Sequence, residues 1–331
     1  MSYKLRKRIL NVPAARSGRQ WLKKITFKKY NNLSLYRFLK IFFFNIHEDE
    51  ITNRANGVAY NFILAIFPLI IFLFTLIPYV TSYFPEVNTQ SIMEFLGDMM
   101  PTSMYDVISS TVFDILSNQR GGLLTFGFVF ALYLATNGML ALMRAFNACY
   151  HTVEKRNIWR MRLTATGLTI MLSVVLMLAI LLLVVGQFVL NYGTEHIAEI
   201  RKFGLDSYTI YLITALRLIV IFVVFFIAVS FIYYFGPAIH YNWRFFSIGS
   251  FLATLACLFI SYGFSYYISN FGSYNKVYGS IGALIALMVW IQLLTTILLL
   301  GFEVNASLHY GRKPVNKKQQ IISSRKLKSQ R

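Results

Sequence analysis

The chain has 331 residues, 56% of them hydrophobic and 14% charged, and the shortage of charge is concentrated in long, nearly uncharged runs. A soluble domain carries roughly 25% charged residues, so an ordinary soluble globule is excluded and lipid becomes the expected solvent for much of the surface. The net charge of +19 would suggest a nucleic-acid partner in a soluble protein. Here the bases sit in two tails and one loop, so they read as topology signals and contacts to anionic lipid headgroups, with no specific nucleic acid.

Residues 1–34 are polar and carry ten bases, which predicts a solvated cytoplasmic tail. Residues 35–46, LYRFLKIFFFNI, set Arg37 and Lys40 among nine apolar or aromatic residues. That run is too short to cross a bilayer, and an interfacial helix under the headgroups is expected. No apolar core falls within the first thirty residues, so the first span is expected to direct insertion itself.

That span is predicted over 58–80, with Pro68 inside it and Pro78 near its end. A proline frees a backbone carbonyl, which neighbouring helices must shield. Residues 81–120 hold five acids and only Arg120 as a base, and amphipathic stretches such as MEFLGDMM predict short helices on the outer face. Further spans are predicted over 123–142, 163–190, 210–235, 248–268 and 281–304, and a basic tail covers 309–331. The third is longer than a bilayer requires and is expected to tilt. This gives a basic cytoplasmic segment over 1–57 and a membrane domain over 58–308.

With the N-terminus inside, the cytoplasmic segments hold 27 bases and the outer loops 4, with Arg217 inside the fourth span. Such a bias predicts an even number of spans and two cytoplasmic termini. The expected class is therefore an all-α, multi-pass protein with six spans.

Ionisable residues at membrane depth are candidates for function. Arg217 lies about seven residues, or roughly 10 Å, from the outer end of its span, whereas Glu303 lies near the inner end of the last. A direct pair between them would require one boundary to be misplaced. Arg217 could equally snorkel to the outer headgroups, and Glu303 could be an interfacial carboxylate. Asn137, Gln187, Gln292 and Asn305 are neutral polar candidates. Each reads first as an interhelical hydrogen bond contributing about 0.6 kcal/mol, and second as part of a polar lining. Gly282 and Ala286, four apart, offer a face for close helix contact.

Searches for catalytic spacing return little. His47, His151, His196, His240 and His309 are scattered one per segment, and neither H-x-H nor H-E-x-x-H occurs. Cys149 and Cys257 form no C-x-x-C pair, so spacing supports neither a zinc site nor a redox motif. A phosphate-binding G-x-x-x-x-G-K-[ST] loop and a G-x-S-x-G elbow are both absent. No catalytic residue, metal or cofactor is expected.

The run from Tyr278 to Ala306 resembles the terminal signature of the YihY/BrkB family of bacterial inner-membrane proteins. The match is carried by Tyr278, Gly279, Trp290, Gly301, Glu303 and Asn305. Further matches are A55-N-G-V-A-Y60 followed by Phe67 and Pro68, then Asn137 through A145-F-N-A-C-Y150, then Pro237 to Trp243 leading into Gly249. Ser247-Ile248-Gly249 departs from the family, which often has a proline before that glycine. The resemblance spans about residues 50–308 and implies six spans, cytoplasmic termini and a bacterial inner-membrane location. It leaves activity open, since the family carries a virulence or serum-resistance label and an older ribonuclease BN label.

Two functions remain in view. One is a transporter or translocator of lipids or envelope components, with a polar seam between helices and Arg217 meeting anionic headgroups. The other is a non-catalytic envelope scaffold, partnered by an envelope protein or a second copy of the chain. Nuclease chemistry needs convergent metal ligands to activate water, and no such spacing is present.

Overall fold

The computed structural model describes residues 20–27, 31–80, 90, 93, 109–110, 112–116, 118–195, 207–239, 244–270 and 280–312. Side chains at 80, 180, 183–195, 207–214, 217, 269–270, 280, 281, 283 and 312 lie outside that description.

A two-residue antiparallel ladder, β1 (Thr26–Phe27) with β2 (Leu33–Ser34), precedes α1 (Leu35–Glu48). Ser34 caps α1, its Oγ accepting from the Arg37 N–H at 3.3 Å. The helix then presents an inverted pattern. Phe43 and Phe44 are 66% and 62% exposed, while Asn45 is buried. A helix in water would hide the phenylalanines, so this arrangement fits the interfacial helix expected over 35–46.

Six longer helices follow: α2 (Ile51–Val80), α3 (Gly121–Cys149), α4 (Ile158–Glu195), α5 (Ser207–Phe235), α6 (Ile248–Asn270) and α7 (Ser280–Arg312). Each contains a stretch long and apolar enough to cross a membrane. The predicted spans all fall inside them, but several helices run further. α2 begins at Ile51, and within its first turn the Arg54 side chain turns back and donates Nε–H to the Asp49 carbonyl at 2.7 Å. α3 continues past Arg144 to Cys149, and α7 continues to Arg312. Most of the loop predicted to hold outer-face helices lies outside the described residues, although 112–116 are helical and Arg120 pairs with Asp114.

α2 packs along α3, α3 also meets α4, α4 meets α5, and α5 meets α6. α7 touches α1, α2, α3 and α6, which makes it the central element. Close approach between α2 and α3 depends on Gly127, where a Cβ would come 3.1 Å from the Phe72 backbone nitrogen. α6 and α7 meet at Gly249 and Gly301. A Cβ on Gly249 would run into the Gly301 carbonyl oxygen, and one on Gly301 would lie 2.5 Å from the Ala253 Cβ. The largest fully buried side chains, Tyr233, Phe146 and Phe302, form a triangle in the core. Its centroids lie 4.4 Å apart for Phe146 and Phe302, and 5.4 and 5.5 Å for the pairs with Tyr233.

Candidate functional site

The site forms where α1, the end of α3 and the last third of α7 converge. A helix positions side chains one turn apart on the same face, which places Glu303 and Ser307 together on α7. Glu303 is fully buried. Its Oε1 accepts from Asn45 Nδ2 on α1 and from Ser307 Oγ, both at 2.7 Å. Its Oε2 is buried with no hydrogen-bond partner among the described residues.

Asp49 closes α1 as its C-cap, and its backbone N–H donates to the Asn45 carbonyl. The side chain is buried, and Oδ2 also lacks a partner among the described residues. Burial pushes the Asp49 carboxyl above the usual carboxylate range, opposed by the nearby charges of His151 and Arg54. His151 Nδ1 stands 3.7 Å from Asp49 Oδ1. Its backbone is left-handed at φ 46°, an uncommon conformation that turns the chain sharply after α3. Cys149, the last residue of α3, is fully buried. Ligand atoms of Asp49, Cys149 and Glu303 all lie within 4.8 Å of one another.

Along α1 lies a cleft of ≈ 830 Å³. Its lining includes Tyr36, Arg37, Lys40, Phe43, Phe44 and Asn45. One residue, Asn45, therefore belongs both to this cleft and to the hydrogen bonding of Glu303.

Asn305, two residues after Glu303, has a different task. Its Oδ1 accepts from the Gly249 N–H at 2.9 Å and its Nδ2 donates to Ser247 Oγ at 2.8 Å. It thus satisfies the first turn of α6, whose N–H groups have no partner within the helix. Gly301 and Gly249 let the two backbones come near enough for this. Gln292 donates to Asn56 Oδ1 at 2.8 Å on an exposed face, and Trp290 Nε1 donates to Ser261 Oγ at 3.2 Å between α7 and α6. Asn137 is half-buried on α3. Tyr60 is exposed, whereas Pro68 and Pro237 are buried. Tyr278 and Gly279, and the side chains of Arg217 and Gln187, lie outside the described residues.

A second polar cluster joins the α3–α4 loop to the end of α5. Asn147 Oδ1 accepts from the Ala238 N–H at 2.7 Å and Nδ2 donates to Glu154 Oε2 at 2.9 Å. Arg156 pairs with Glu154 at 2.8 Å and also donates to the Gly236 carbonyl at 2.7 Å, near the C-terminus of α5. The Arg156 hydrogen bonds hold the Glu154 carboxyl down to about 2.

Sequence reasoning found Glu303 and Asn305 but missed Asn45, Asp49, Cys149 and Ser307 as their neighbours. Asn45 and Glu303 are 258 residues apart, and neither C-x-x-C nor H-x-H spacing registers ligands supplied by separate helices. The available signal was the acidic turn Glu48-Asp49-Glu50 lying directly against the first apolar run.

Six membrane-crossing helices with charged groups enclosed at one end define a multi-pass α-helical membrane protein. The family described as Virulence factor BrkB matches residues 42–324, and the chain belongs to that family of the bacterial inner membrane. The chain is 34% identical over 278 residues to "Putative ribonuclease-like protein YfkH" of Bacillus subtilis (strain 168), covering 83% of this chain and 96% of that one. No solved structure matches it.

Proposed function

We propose that this protein translocates an anionic amphiphile, a lipid or lipid-linked envelope component, which it receives from the cytoplasmic leaflet. The end of the bundle that carries the basic segments is taken as cytoplasmic, following the bias of 27 bases to 4. The observation that carries the reading is the cleft beside α1. Arg37 and Lys40 offer charge to a headgroup, while Tyr36, Phe43 and Phe44 offer an apolar surface to the start of an acyl chain. A cleft of ≈ 830 Å³ suits a headgroup, falling within the range of about 300–1,000 Å³ usual for small-molecule sites. Its link through Asn45 to Glu303 connects the surface to the interior polar group.

The ribonuclease wording in the relative's name is not adopted. Glu303 is fully buried between helices, where an RNA strand could not reach it.

The test is translocation of fluorescent phospholipids in vesicles containing the purified chain, with anionic and zwitterionic headgroups compared. Flux of the anionic lipid above protein-free vesicles, reduced about tenfold in the Arg37→Ala/Lys40→Ala double variant, supports the reading. Arg217→Ala probes the opposite leaflet in the same assay. No flux for any lipid contradicts the reading, and a stable crosslinked envelope partner in cells would then favour a scaffold.

A further inference from the structure

We infer that Asp49, Cys149 and Glu303 form a binding site for one divalent transition-metal ion of the zinc class.

Three observations carry it. The donor atoms come from three separate elements, the α1–α2 turn, the end of α3 and α7, yet lie within 4.8 Å of one another. Ligands around a tetrahedral zinc ion, at about 2.0–2.3 Å from the metal, stand roughly 3.5 Å apart, so small side-chain movements would close the site. Second, two carboxylate oxygens, Glu303 Oε2 and Asp49 Oδ2, are buried without a hydrogen-bond partner among the described residues. Glu303 is 0% exposed and Asp49 5%. Burying such groups unsatisfied is costly, and a bound cation would remove that cost. Third, Glu303 is already oriented, since Asn45 and Ser307 both donate to its Oε1 and leave Oε2 available. Outer partners that fix a ligand in this way are characteristic of metal sites.

The donor set selects the metal. A thiolate beside two carboxylates favours zinc, cobalt or iron over magnesium and calcium, which take oxygen ligands. Binding replaces the Cys149 S–H proton with a metal–sulfur bond and releases that proton to solvent. With the thiolate formed, three negative ligands face one divalent ion, and Arg54, whose Nε–H donates to the Asp49 carbonyl, places a positive charge nearby to offset the remainder. Three protein ligands leave a fourth position that a water molecule would fill.

The experiment uses the full chain in detergent, purified without a metal-affinity tag and stripped with a chelator. It is titrated separately with ZnCl2, CoCl2 and MgCl2. We expect one zinc or cobalt per chain, no competition from magnesium, and a cobalt–thiolate charge-transfer band. Cys257→Ala should keep that band and Cys149→Ser should abolish it. Glu303→Gln and Asp49→Asn should each weaken zinc binding at least about tenfold. Absence of stoichiometric zinc or cobalt binding by the unsubstituted chain overturns the proposal, as does a charge-transfer band lost in Cys257→Ala. Unchanged zinc affinity in monodisperse Glu303→Gln protein also overturns it. Should Cys149→Ser fail to fold, the unsubstituted chain and Cys257→Ala still decide the matter.

Discussion

At its basic end the bundle buries Phe146, Tyr233 and Phe302 and ties its helices together with polar side chains, whereas toward the other end Phe126, Phe128, Phe259, Tyr262 and Met288 are largely exposed. α7 shows the contrast within one helix. Leu299, Phe302, Glu303, Ala306 and Ser307 are buried, while Leu284, Met288 and Val289 are exposed. In lipid there is little hydrophobic force between helices, so association depends on close packing and interhelical hydrogen bonds. The basic end has both, with Asn305 holding α6, Asn45 holding α1, and Asn147 with Arg156 holding the end of α5. Polar residues here determine helix placement as well as candidate chemistry.

The strongest challenge to this comparison places the same substitution at the two ends of one helix. Gly249→Leu would force a side chain into the Gly301 backbone, whereas Gly263 has open space around its Cβ position. Overpacking costs about 1–3 kcal/mol and occasionally more. Gly249→Leu should therefore lower thermal stability in detergent by about 3 kcal/mol, and Gly263→Leu should stay within about 0.5 kcal/mol. Equal effects would remove the distinction between the ends.

A smaller effect is expected from the amides. Asn305→Ala strands the Gly249 N–H and should cost about 1–3 kcal/mol, while Gln292→Ala, on an exposed face, should cost about 0.6 kcal/mol or less. Thermal melts of the two purified variants make the comparison.

The smallest effect concerns pH. Glu154 titrates at about 2 in the folded protein against an ordinary 4.5, through its bonds to Arg156. A depressed carboxyl contributes stability that is fully present above pH 4.5 and is lost as pH falls toward 2. Glu154→Gln should therefore lower stability at neutral pH and flatten its fall across that window. Parallel pH–stability curves for the two proteins would show that the Glu154–Arg156 pair contributes nothing to joining the loop to α5.

The six spans were legible because an apolar run of some twenty residues has few alternatives in a chain with this charge pattern. Their ends were less legible, since α2 starts at Ile51 rather than 58 and α3 runs on to Cys149 rather than 142. Glu303 and Asn305 stood out as polar residues in an apolar run. Asp49 and Cys149 did not, because each sits at a helix end, where polarity is ordinary, and only the packing of α1 and α3 against α7 brings them together. Asn305 was read as a candidate for function, and its hydrogen bonds give it a structural task at the start of α6.

The docking of α1 onto α7 through Asn45 and Glu303 is the contact on which the site depends, and a double-mutant cycle tests it directly. Thermal stability would be measured in detergent for the unsubstituted chain, Asn45→Ala, Glu303→Met and the pair. A coupling of at least about 1 kcal/mol is expected for a buried hydrogen bond at 2.7 Å. Additive effects, with coupling below about 0.3 kcal/mol, would mean that the two side chains do not meet and that the site does not exist as described.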